Sequence, residues 1–465
     1  MRHRTRILLS LFAALMTGAP GAASAETWAI QVVDAGSAGA ASTSLGLNAG
    51  YPVISYFGAP RNLNFAALDA QSKLWTLRRV DAGGEYSSLA VDGSGIVHVG
   101  YIDANTLDLK YWRYNAGQGS IQVIDSETGQ GGMNFFNSIQ VDAQGTPRIS
   151  YYHWRTSTGL AADRLRYAVD GASSWSTEPV DSVPGRGKYQ SLALDAAGNS
   201  QIAYYDTART LRLAVRGAST WTSQQVDAAG DPGRFNSLAV DASGDPHVSY
   251  IAAIPNQLRY AFQVLTVWRF EDVAGVGAVE NSSVTSLALD ASGNPHIAYY
   301  DAATDSLKYA SRSSSGVWTT QRIDAVGSTG GYCSLKLDSG NRPIISYYDA
   351  TTRSIKIAYG DYPDGDLDGI PNVFDPCPTN ADCNSNGIVD GREGGTMAGA
   401  PGTVGRLPDE SIFGCGSLAA LYGAGGPPRG GPPADLLFLL APGVYLFLKR
   451  SGYRGSARTR FSARA

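Results

Sequence analysis

The chain has 465 residues, of which 43% are hydrophobic and 17% are charged, enough for one large domain with extensions. Its formal charge is −4, and the segment 26–433 alone carries 28 basic and 40 acidic residues, or −12. An acidic body of this kind argues against nucleic acid as a partner. Four cysteines are too few for disulfides to hold the main fold together.

The N-terminus has the features of a secretory signal peptide. Three arginines within the first six residues precede the apolar run Ile7–Met16, and Ala23-Ser24-Ala25 is a small-residue cleavage site. We therefore expect removal of residues 1–25, a mature N-terminus at Glu26, and a protein that is secreted or held at the cell surface.

Residues 26–360 repeat one pattern with a period of about 47 residues. Each copy contains an aromatic element and a serine element of the form Ser-Leu-Ala-Val-Asp. The aromatic elements begin at Trp28, Trp75, Ile121, Trp175, Trp221, Trp268 and Trp318, and the serine elements begin at Ser44, Ser88, Ser138, Ser191, Ser237, Ser286 and Ser334. Each copy holds four short alternating runs separated by Gly, Asp, Asn and Pro, which predicts strands rather than helices.

Four strands per repeat of this length are typical of a β-propeller blade, so the sequence predicts an all-β, seven-bladed β-propeller. The chain opens with a lone strand at Trp28, and its last repeat, Ser334–Ala358, has no aromatic strand after it. We therefore expect residues 27–34 to supply the fourth strand of the last blade and to close the ring.

The loops that lead into the innermost strands should surround the mouth of the central channel. Five of them place an aromatic residue two positions before the repeat serine, namely Tyr86, Phe136, Tyr189, Phe235 and Tyr332. The next position is polar in most blades and varies between them: Thr43, Ser87, Asn137, Gln190, Asn236, Thr285 and Cys333. Aromatic faces beside amide and hydroxyl groups suit a sugar or a peptide. A blade 3 insertion adds Trp154 to this predicted ligand site, and the alternative is that the aromatic residues only fill the gaps between blades.

Candidates for catalysis are few. His98, His247 and His296 recur at equivalent positions of different blades, which indicates packing within the repeat. Glu85 is the only carboxylate within three residues before a repeat serine. The sequence contains no nucleophile elbow and no HExxH motif.

An acidic segment, residues 361–395, follows the repeats and contains two calcium-loop patterns. Ca²⁺ prefers six to eight oxygen ligands, and these loops supply them at positions 1, 3, 5, 7 and 12, with Gly at position 6. The predicted ligands are Asp364, Asp366, Asp368, Ile370 and Asp375 in the first loop, and Asp382, Asn384, Asn386, Ile388 and Glu393 in the second. Cys377 and Cys383 flank a short acidic segment and are predicted to pair as a disulfide. The alternative is an acidic, solvated linker.

Residues 364–378 resemble a thrombospondin type 3 repeat, including the ending Asp375-Pro-Cys377-Pro378. Asn372 departs from that family, which usually has another Asp at this place. The resemblance implies extracellular structure stabilised by Ca²⁺, without catalysis. A dockerin is the other interpretation, but it needs a helix after each loop, and Pro376 and Pro378 argue against the first of these helices.

The C-terminal region divides into a Gly- and Pro-rich linker, residues 396–433, and a hydrophobic and basic tail, residues 434–465. The apolar stretch Leu436–Leu448 is shorter than the roughly 20 residues that span a bilayer. With Cys415 ahead of it, the tail resembles the C-terminal sorting signals of some bacterial surface proteins. That resemblance implies processing or lipid attachment at Cys415 and anchoring at a membrane or cell surface; the alternative is a poorly folded tail.

These observations lead to three hypotheses about function. The first is a secreted or cell-surface, non-enzymatic propeller that binds a glycan or a protein on its loop face and has a calcium-stabilised stalk. The second is a propeller-type glycoside hydrolase or lyase, and the third is a purely structural surface protein. The fold alone does not choose between them.

Overall fold

A computed structural model describes residues 27–36, 42–126, 136–153, 164–171, 174–278, 284–384, 386, 388–392 and 396–397. These residues belong to one compact unit, residues 1–405; a second unit, residues 406–465, lies outside the described part. The expected signal peptide, Trp154, Glu393 and Cys415 also lie outside it. Within the described residues, no helix is both long enough and apolar enough to cross a bilayer.

Twenty-nine strands and one short helix make up the described structure. Blade 1 contains β2 (Thr43–Asn48), β3 (Tyr51–Gly58), β4 (Asn62–Leu68) and β5 (Trp75–Ala82); blade 2 contains β6 (Gly84–Val91), β7 (Val97–Asp103), β8 (Leu109–Asn115) and β9 (Gln118–Asp125). Blade 3 contains β10 (Asn137–Val141), β11 (Pro147–His153), β12 (Arg164–Gly171) and β13 (Ser174–Asp181); blade 4 contains β14 (Lys188–Leu194), β15 (Ser200–Tyr205), β16 (Leu211–Arg216) and β17 (Trp221–Asp227).

The remaining strands complete the ring. Blade 5 contains β18 (Arg234–Val240), β19 (Pro246–Ala252), β20 (Gln257–Val264) and β21 (Val267–Gly275); blade 6 contains β22 (Thr285–Leu289), β23 (Pro295–Asp301), β24 (Ser306–Arg312) and β25 (Trp318–Asp324). Blade 7 contains β26 (Thr329–Leu337), β27 (Pro343–Asp349), β28 (Ser354–Gly360) and β1 (Trp28–Asp34). A 3-10 helix, Asp390–Arg392, and β29 (Thr396–Met397), which pairs in parallel with β5, follow the propeller.

The architecture is the predicted seven-bladed propeller with four-stranded antiparallel blades. The first strand of each of blades 1 to 7 is innermost, and these strands contact one another in sequence around the axis. The predicted closure is also confirmed, because β1 pairs antiparallel with β28, from Trp28 opposite Gly360 to Asp34 opposite Ile355. The N-terminal strand thus joins the last blade, and no edge is left open between the first and last blades.

The repeat serines connect the inner strands. Each hydroxyl accepts a hydrogen bond of 2.9–3.1 Å from a backbone N–H of the next blade, and Ser334 closes the circle by accepting from Leu45. The inner strands of neighbouring blades belong to different sheets and do not form a ladder with each other. The serine therefore satisfies a buried backbone donor that would otherwise be unpaired.

A second set of contacts joins the blades farther from the axis. A tyrosine on the second strand donates a hydrogen bond of 2.6–2.8 Å to an aspartate at the end of the preceding blade's outer strand. The pairs are Tyr56–Asp34, Tyr101–Asp81, Tyr151–Asp125, Tyr204–Asp181, Tyr250–Asp227 and Tyr347–Asp324. At the seventh interface Ala274 occupies the register position of the aspartate, and the Tyr299 hydroxyl is buried without a hydrogen-bond partner among the described residues.

The missing aspartate partner of Tyr299 leads to a prediction about stability. Replacing Ala274 by aspartate should raise the free energy of unfolding by about 1 kcal/mol, because the new carboxylate would accept from Tyr299 as the other six do. Chemical denaturation of the wild type and of Ala274→Asp measures the change. The same substitution made together with Tyr299→Phe should lose the gain, and a gain that persists would show that Tyr299 is not its source.

Indole groups make a third set of contacts on the outer strands. Five of them donate to a glutamine or glutamate of the preceding blade: Trp28 to Gln321, Trp75 to Gln31, Trp175 to Gln122, Trp221 to Glu178 and Trp318 to Glu271. In blade 2 the predicted start of the aromatic element, Ile121, is wrong by two residues. Gly119, which pairs with Tyr114, takes the place that Trp221 has in blade 4, where it pairs with Arg216. A side chain at Gly119 would overlap the ring of Trp112, which fills this space from the neighbouring strand.

The recurring histidines pack within their blades. His98 Nδ1 lies 2.7 Å from the Tyr111 hydroxyl, and its Nε2 lies 3.3 Å from Asp92 Oδ2. His247 and His296 make the same contacts with Tyr260 and Tyr309. Burial lowers the pKa of all three histidines, so they are held neutral as structural groups.

Candidate functional site

The candidate ligand site lies on what we call the upper face, which carries the loops that lead into the inner strands. In blade 4 this loop crosses strand β12 of blade 3 at Gly187, which has a φ of 117°. A Cβ at Gly187 would lie 2.6 Å from Cβ and 2.9 Å from Cα of Leu165. Only glycine allows this approach, and a register shift between Lys188 and Ser191 then turns Tyr189 out of the ladder.

The aromatic residues at this position have left-handed backbones. The φ values are 51° at Tyr86, 55° at Tyr189, 50° at Phe235 and 55° at Tyr332. A bulky residue in this region is uncommon and costs about 1–3 kcal/mol unless its surroundings impose it. The repeat imposes it at four blades, and there it sets the aromatic side chain near the start of the innermost strand.

Four of these rings form a continuous arc across blades 2 to 5. Ring centroids are separated by 6.2 Å between Tyr86 and Phe136, 4.8 Å between Phe136 and Tyr189, and 4.4 Å between Tyr189 and Phe235. Phe235 is buried, whereas the other three rings are partly exposed. We call these four residues the aromatic arc. Tyr332 lies in blade 7 and is also partly exposed.

The predicted polar positions act between blades. Their side chains donate to the backbone carbonyl of the aromatic position in the preceding blade, at 2.5–2.9 Å: Asn137 to Tyr86, Gln190 to Phe136, Asn236 to Tyr189, Thr285 to Phe235 and Thr43 to Tyr332. Asn137, Gln190 and Asn236 therefore fix the backbone of the arc at Tyr86, Phe136 and Tyr189.

Four of the polar positions contact a serine on the second strand of the preceding blade: Thr43 contacts Ser346, Ser87 contacts Ser55, Gln190 contacts Ser150 and Thr285 contacts Ser249. Asn137 instead lies over Gly100, where a Cβ would be only 2.8 Å from the Asn137 amide oxygen. Gly100 thus leaves room for the Asn137 side chain.

Two carboxylates lie near the arc: Asp231 accepts from the Tyr205 hydroxyl, and the Tyr205 ring centroid lies 5.9 Å from that of Tyr189, whereas Glu85 directly precedes Tyr86. Glu85 is half-buried, and its Oε1 lies 4.0 Å from Nε of Arg61, a largely exposed side chain with a φ of 102°. Burial raises the pKa of Glu85, and the Arg61 charge partly offsets this. Burial, with Glu85 and Tyr332 nearby, raises the pKa of Tyr86 to about 12.

The first predicted calcium loop brings three of its four predicted acidic ligands together. Carboxylate oxygens of Asp364, Asp366 and Asp368 lie within 4.8 Å of one another. Asp364 also accepts from the backbone N–H groups of Leu367 and Gly369, at 2.8 and 3.0 Å. These bonds curl the chain so that the carboxylates converge.

Several carboxylate oxygens of this loop are buried and have no donor among the described residues. They are both oxygens of Asp366 and the Oδ2 atoms of Asp368 and Asp375, and the latter two residues are each only 5% exposed. Burial first, and then the charges of the neighbouring aspartates, raise the pKa of Asp368 to about 7. Burial likewise raises the pKa of Asp375. Buried acceptors that face one another without donors fit a hard cation such as Ca²⁺.

The second calcium loop is more open. Asp382, Asn384 and Asn386 use side-chain oxygens to accept from the backbone N–H groups of Asn386 and Ile388, at 2.8–3.1 Å. Asn384, Asn386 and Ile388 are exposed. Cys377 and Cys383 are joined by a disulfide, which links the end of the first loop to the start of the second.

Comparison with known proteins gives similarity of fold alone. No protein-family model and no curated protein matches the chain. The fucose-specific lectin from Aleuria aurantia aligns with a TM-score of 0.45 and 12% identity, over 63% of this chain and 98% of the lectin. A protein of unknown function from Dyadobacter fermentans aligns with a TM-score of 0.43 and 13% identity, over 71% of this chain and 97% of that protein. A polysaccharide lyase aligns with a TM-score of 0.43 and 12% identity, over 69% of this chain and 89% of the lyase. At such values the ligands of these proteins do not transfer to this chain.

Proposed function

We propose that this protein is a secreted or cell-surface propeller that binds a glycan, without turning it over, on the aromatic arc of its upper face. The arc is the observation that supports this most directly. Three of its four adjoining rings are held by left-handed backbones near the start of innermost strands, and aromatic faces stack on the apolar faces of sugar rings. The polar groups behind the arc fix it rigidly, so a ligand would not have to order it.

The proposal predicts a specific loss of glycan binding. The full chain is screened on a glycan array, and the affinity of any sugar found is measured by calorimetry. Tyr189→Ala removes the ring that contacts both Phe136 and Phe235. It should weaken binding by about 30-fold or more, since central aromatic contacts contribute about 2 kcal/mol or more.

Phe270→Ala is the matched control, because Phe270 is an aromatic residue 41% exposed on the outer strand of blade 5, away from the mouth. It should leave the affinity unchanged. If Tyr189→Ala and Phe136→Ala both bind as the wild type does, the rings serve to close the channel, and a glycan site at the arc is refuted.

We further propose that the acidic segment binds Ca²⁺. The support for the first loop is its set of buried oxygens without donors; Asp364, Asp366, Asp368 and Asp375 would hold the ion with the Ile370 carbonyl. For the second loop the support is the ligand spacing in the sequence. Bound Ca²⁺ would supply positive charge that stabilises the cluster of carboxylates.

Calorimetric titration with Ca²⁺ tests this assignment. The double variant Asp366→Ala, Asn384→Ala removes one predicted ligand from each loop and should abolish Ca²⁺ binding. Asp69→Ala is the control, since Asp69 is a turn aspartate that accepts from Gln71 and Ser72 on blade 1. Unchanged Ca²⁺ binding in the double variant would disprove the ligand assignment.

A hydrolase or lyase activity is the second candidate, and Glu85 is the observation that favours it. A half-buried carboxyl with a raised pKa beside the arc could exchange a proton with a bound sugar. Incubating the wild type with each glycan that binds, followed by product analysis, distinguishes the two functions. Product formation that Glu85→Gln abolishes would establish the enzyme, and intact glycan would favour the binding protein.

A further inference from the structure

The first calcium loop, residues 364–375, lies against the seam where the ring closes. Thr27 and Asp361 exchange hydrogen bonds, from the Asp361 N–H to the Thr27 carbonyl at 2.8 Å and from the Thr27 N–H to the Asp361 carboxylate at 3.2 Å. Gly369, with a φ of 97°, packs so closely on strand β1 that a Cβ would overlap the Ile30 carbonyl oxygen. The loop therefore touches the N-terminal strand that completes blade 7.

Two apolar side chains of the same loop enter the core at this seam. Ile370 and Phe374 are each only 3% exposed, and they belong to the cluster formed by blades 1 and 7. The Phe374 ring lies 5.9 Å from Tyr51 of blade 1 and 5.1 Å from Tyr359 of blade 7. Phe374 thus contacts both sides of the junction.

A polar contact fixes the entrance to the loop. The Tyr362 hydroxyl donates to Asp338 Oδ2 at 2.7 Å, and the Arg342 guanidinium lies 3.9 Å from the centre of the Tyr362 ring. Asp338 and Arg342 belong to the turn between β26 and β27, on the face opposite the aromatic arc. The segment from Tyr362 to Phe374 is therefore attached to blade 7 at both of its ends.

The residues that hold the seam alternate with those that would hold the ion. Asp368 precedes Gly369 and Ile370, and Phe374 precedes Asp375. Ile370 would serve in both ways, through its carbonyl for the ion and its side chain for the core. Four carboxylates that repel one another would expand the loop when no cation balances them. Expansion would draw Ile370 and Phe374 away from the seam.

We propose that the first calcium loop is an ion-dependent clasp that keeps the propeller ring closed, so that Ca²⁺ binding suppresses opening of strand β1 from blade 7. This rests on the calcium site proposed above. It assigns the loop a role within the propeller, in addition to that of a stalk leading away from it. An ion that binds only the closed form lowers the population of the open form by the factor 1 + [Ca²⁺]/Kd.

Hydrogen–deuterium exchange of the full chain, with calorimetry beside it, tests the clasp. At a Ca²⁺ concentration 100 times Kd, the amides of Trp28–Asp34 should exchange about 100-fold more slowly than in chelator. The amides of Leu211–Arg216, in blade 4, serve as the internal reference and should not change. Asp366→Asn should abolish the calorimetric signal of the first loop, leave that of the second loop, and keep β1 exchange at the chelator rate in Ca²⁺.

Two further variants separate the ion site from the clasp. Phe374→Ala should still bind Ca²⁺ but lose most of the protection of β1; Leu367→Ala, at an 84% exposed position of the same loop, should behave as the wild type. If Ca²⁺ binds the wild type and β1 exchange does not respond, the clasp is refuted while the calcium site stands. If no Ca²⁺ binds, both are refuted. If Phe374→Ala does not fold, the β1 exchange rates of the wild type and of Asp366→Asn, in Ca²⁺ and in chelator, still test the clasp.

Discussion

Replacing Asp227 by alanine is expected to lower the free energy of unfolding by about 3 kcal/mol. Asp227 is buried between blades 4 and 5 and accepts from the Tyr250 hydroxyl at 2.6 Å and from Arg259 Nη1 at 2.7 Å. It also accepts from the Ala229 N–H at 2.9 Å. Its loss leaves the buried Tyr250 hydroxyl and part of the positive charge of Arg259 unpaired, which costs more than the loss of the bonds themselves.

The structure offers a control that shares the same arginine. Arg259 Nε also donates to Asp272 at 2.9 Å, and the Asp272 side chain is 66% exposed. Asp272→Ala should therefore cost less than about 1 kcal/mol, since exposed ion pairs contribute little. Urea denaturation of both variants gives the comparison. Equal losses at the two positions would show that burial between the blades does not determine the strength of the contact.

The repeat made the architecture predictable from sequence. Most blades use the same few side chains for the same contacts, so the repeat serine, the Tyr–Asp pair and the tryptophan recur with the period of about 47 residues. The closure of the ring was predictable for a related reason, because a lone strand at Trp28 and a three-stranded last repeat are complementary. Each blade contacts only its neighbours, and it does so through equivalent positions of consecutive repeats.

The role of the variable polar positions could not be read from one sequence. Asn137 lies over Gly100 of the preceding blade, and nothing in the spacing of the chain joins these two residues. The blade 2 outer strand was misplaced for a similar reason, because Trp112 on the adjacent strand replaces the missing tryptophan. Likewise, the acidic segment reads as a separate module, and only its packing shows that Phe374 belongs to the propeller core.

The second large effect is expected at Gly187. Gly187→Ala should lower the free energy of unfolding by about 3 kcal/mol, because the methyl group must occupy a left-handed φ of 117° and also meets Leu165 at less than 3 Å. Leu165 belongs to strand β12 of blade 3, so relief of the overlap requires the loop and that strand to separate.

The matched control is Gly244→Ala. Gly244 also has a positive φ, 87°, but a Cβ there meets nothing within 4 Å, so only the backbone strain of about 1 kcal/mol should appear. The difference between the two variants then measures the contact between blades. Because the Gly187 crossing also places Tyr189, Gly187→Ala should weaken any glycan bound at the aromatic arc, whereas Gly244→Ala should not. Equal losses of stability in Gly187→Ala and Gly244→Ala would contradict the close approach of blades 3 and 4. An unchanged glycan affinity in a destabilised Gly187→Ala would show that the crossing at Gly187 does not position the ring of Tyr189.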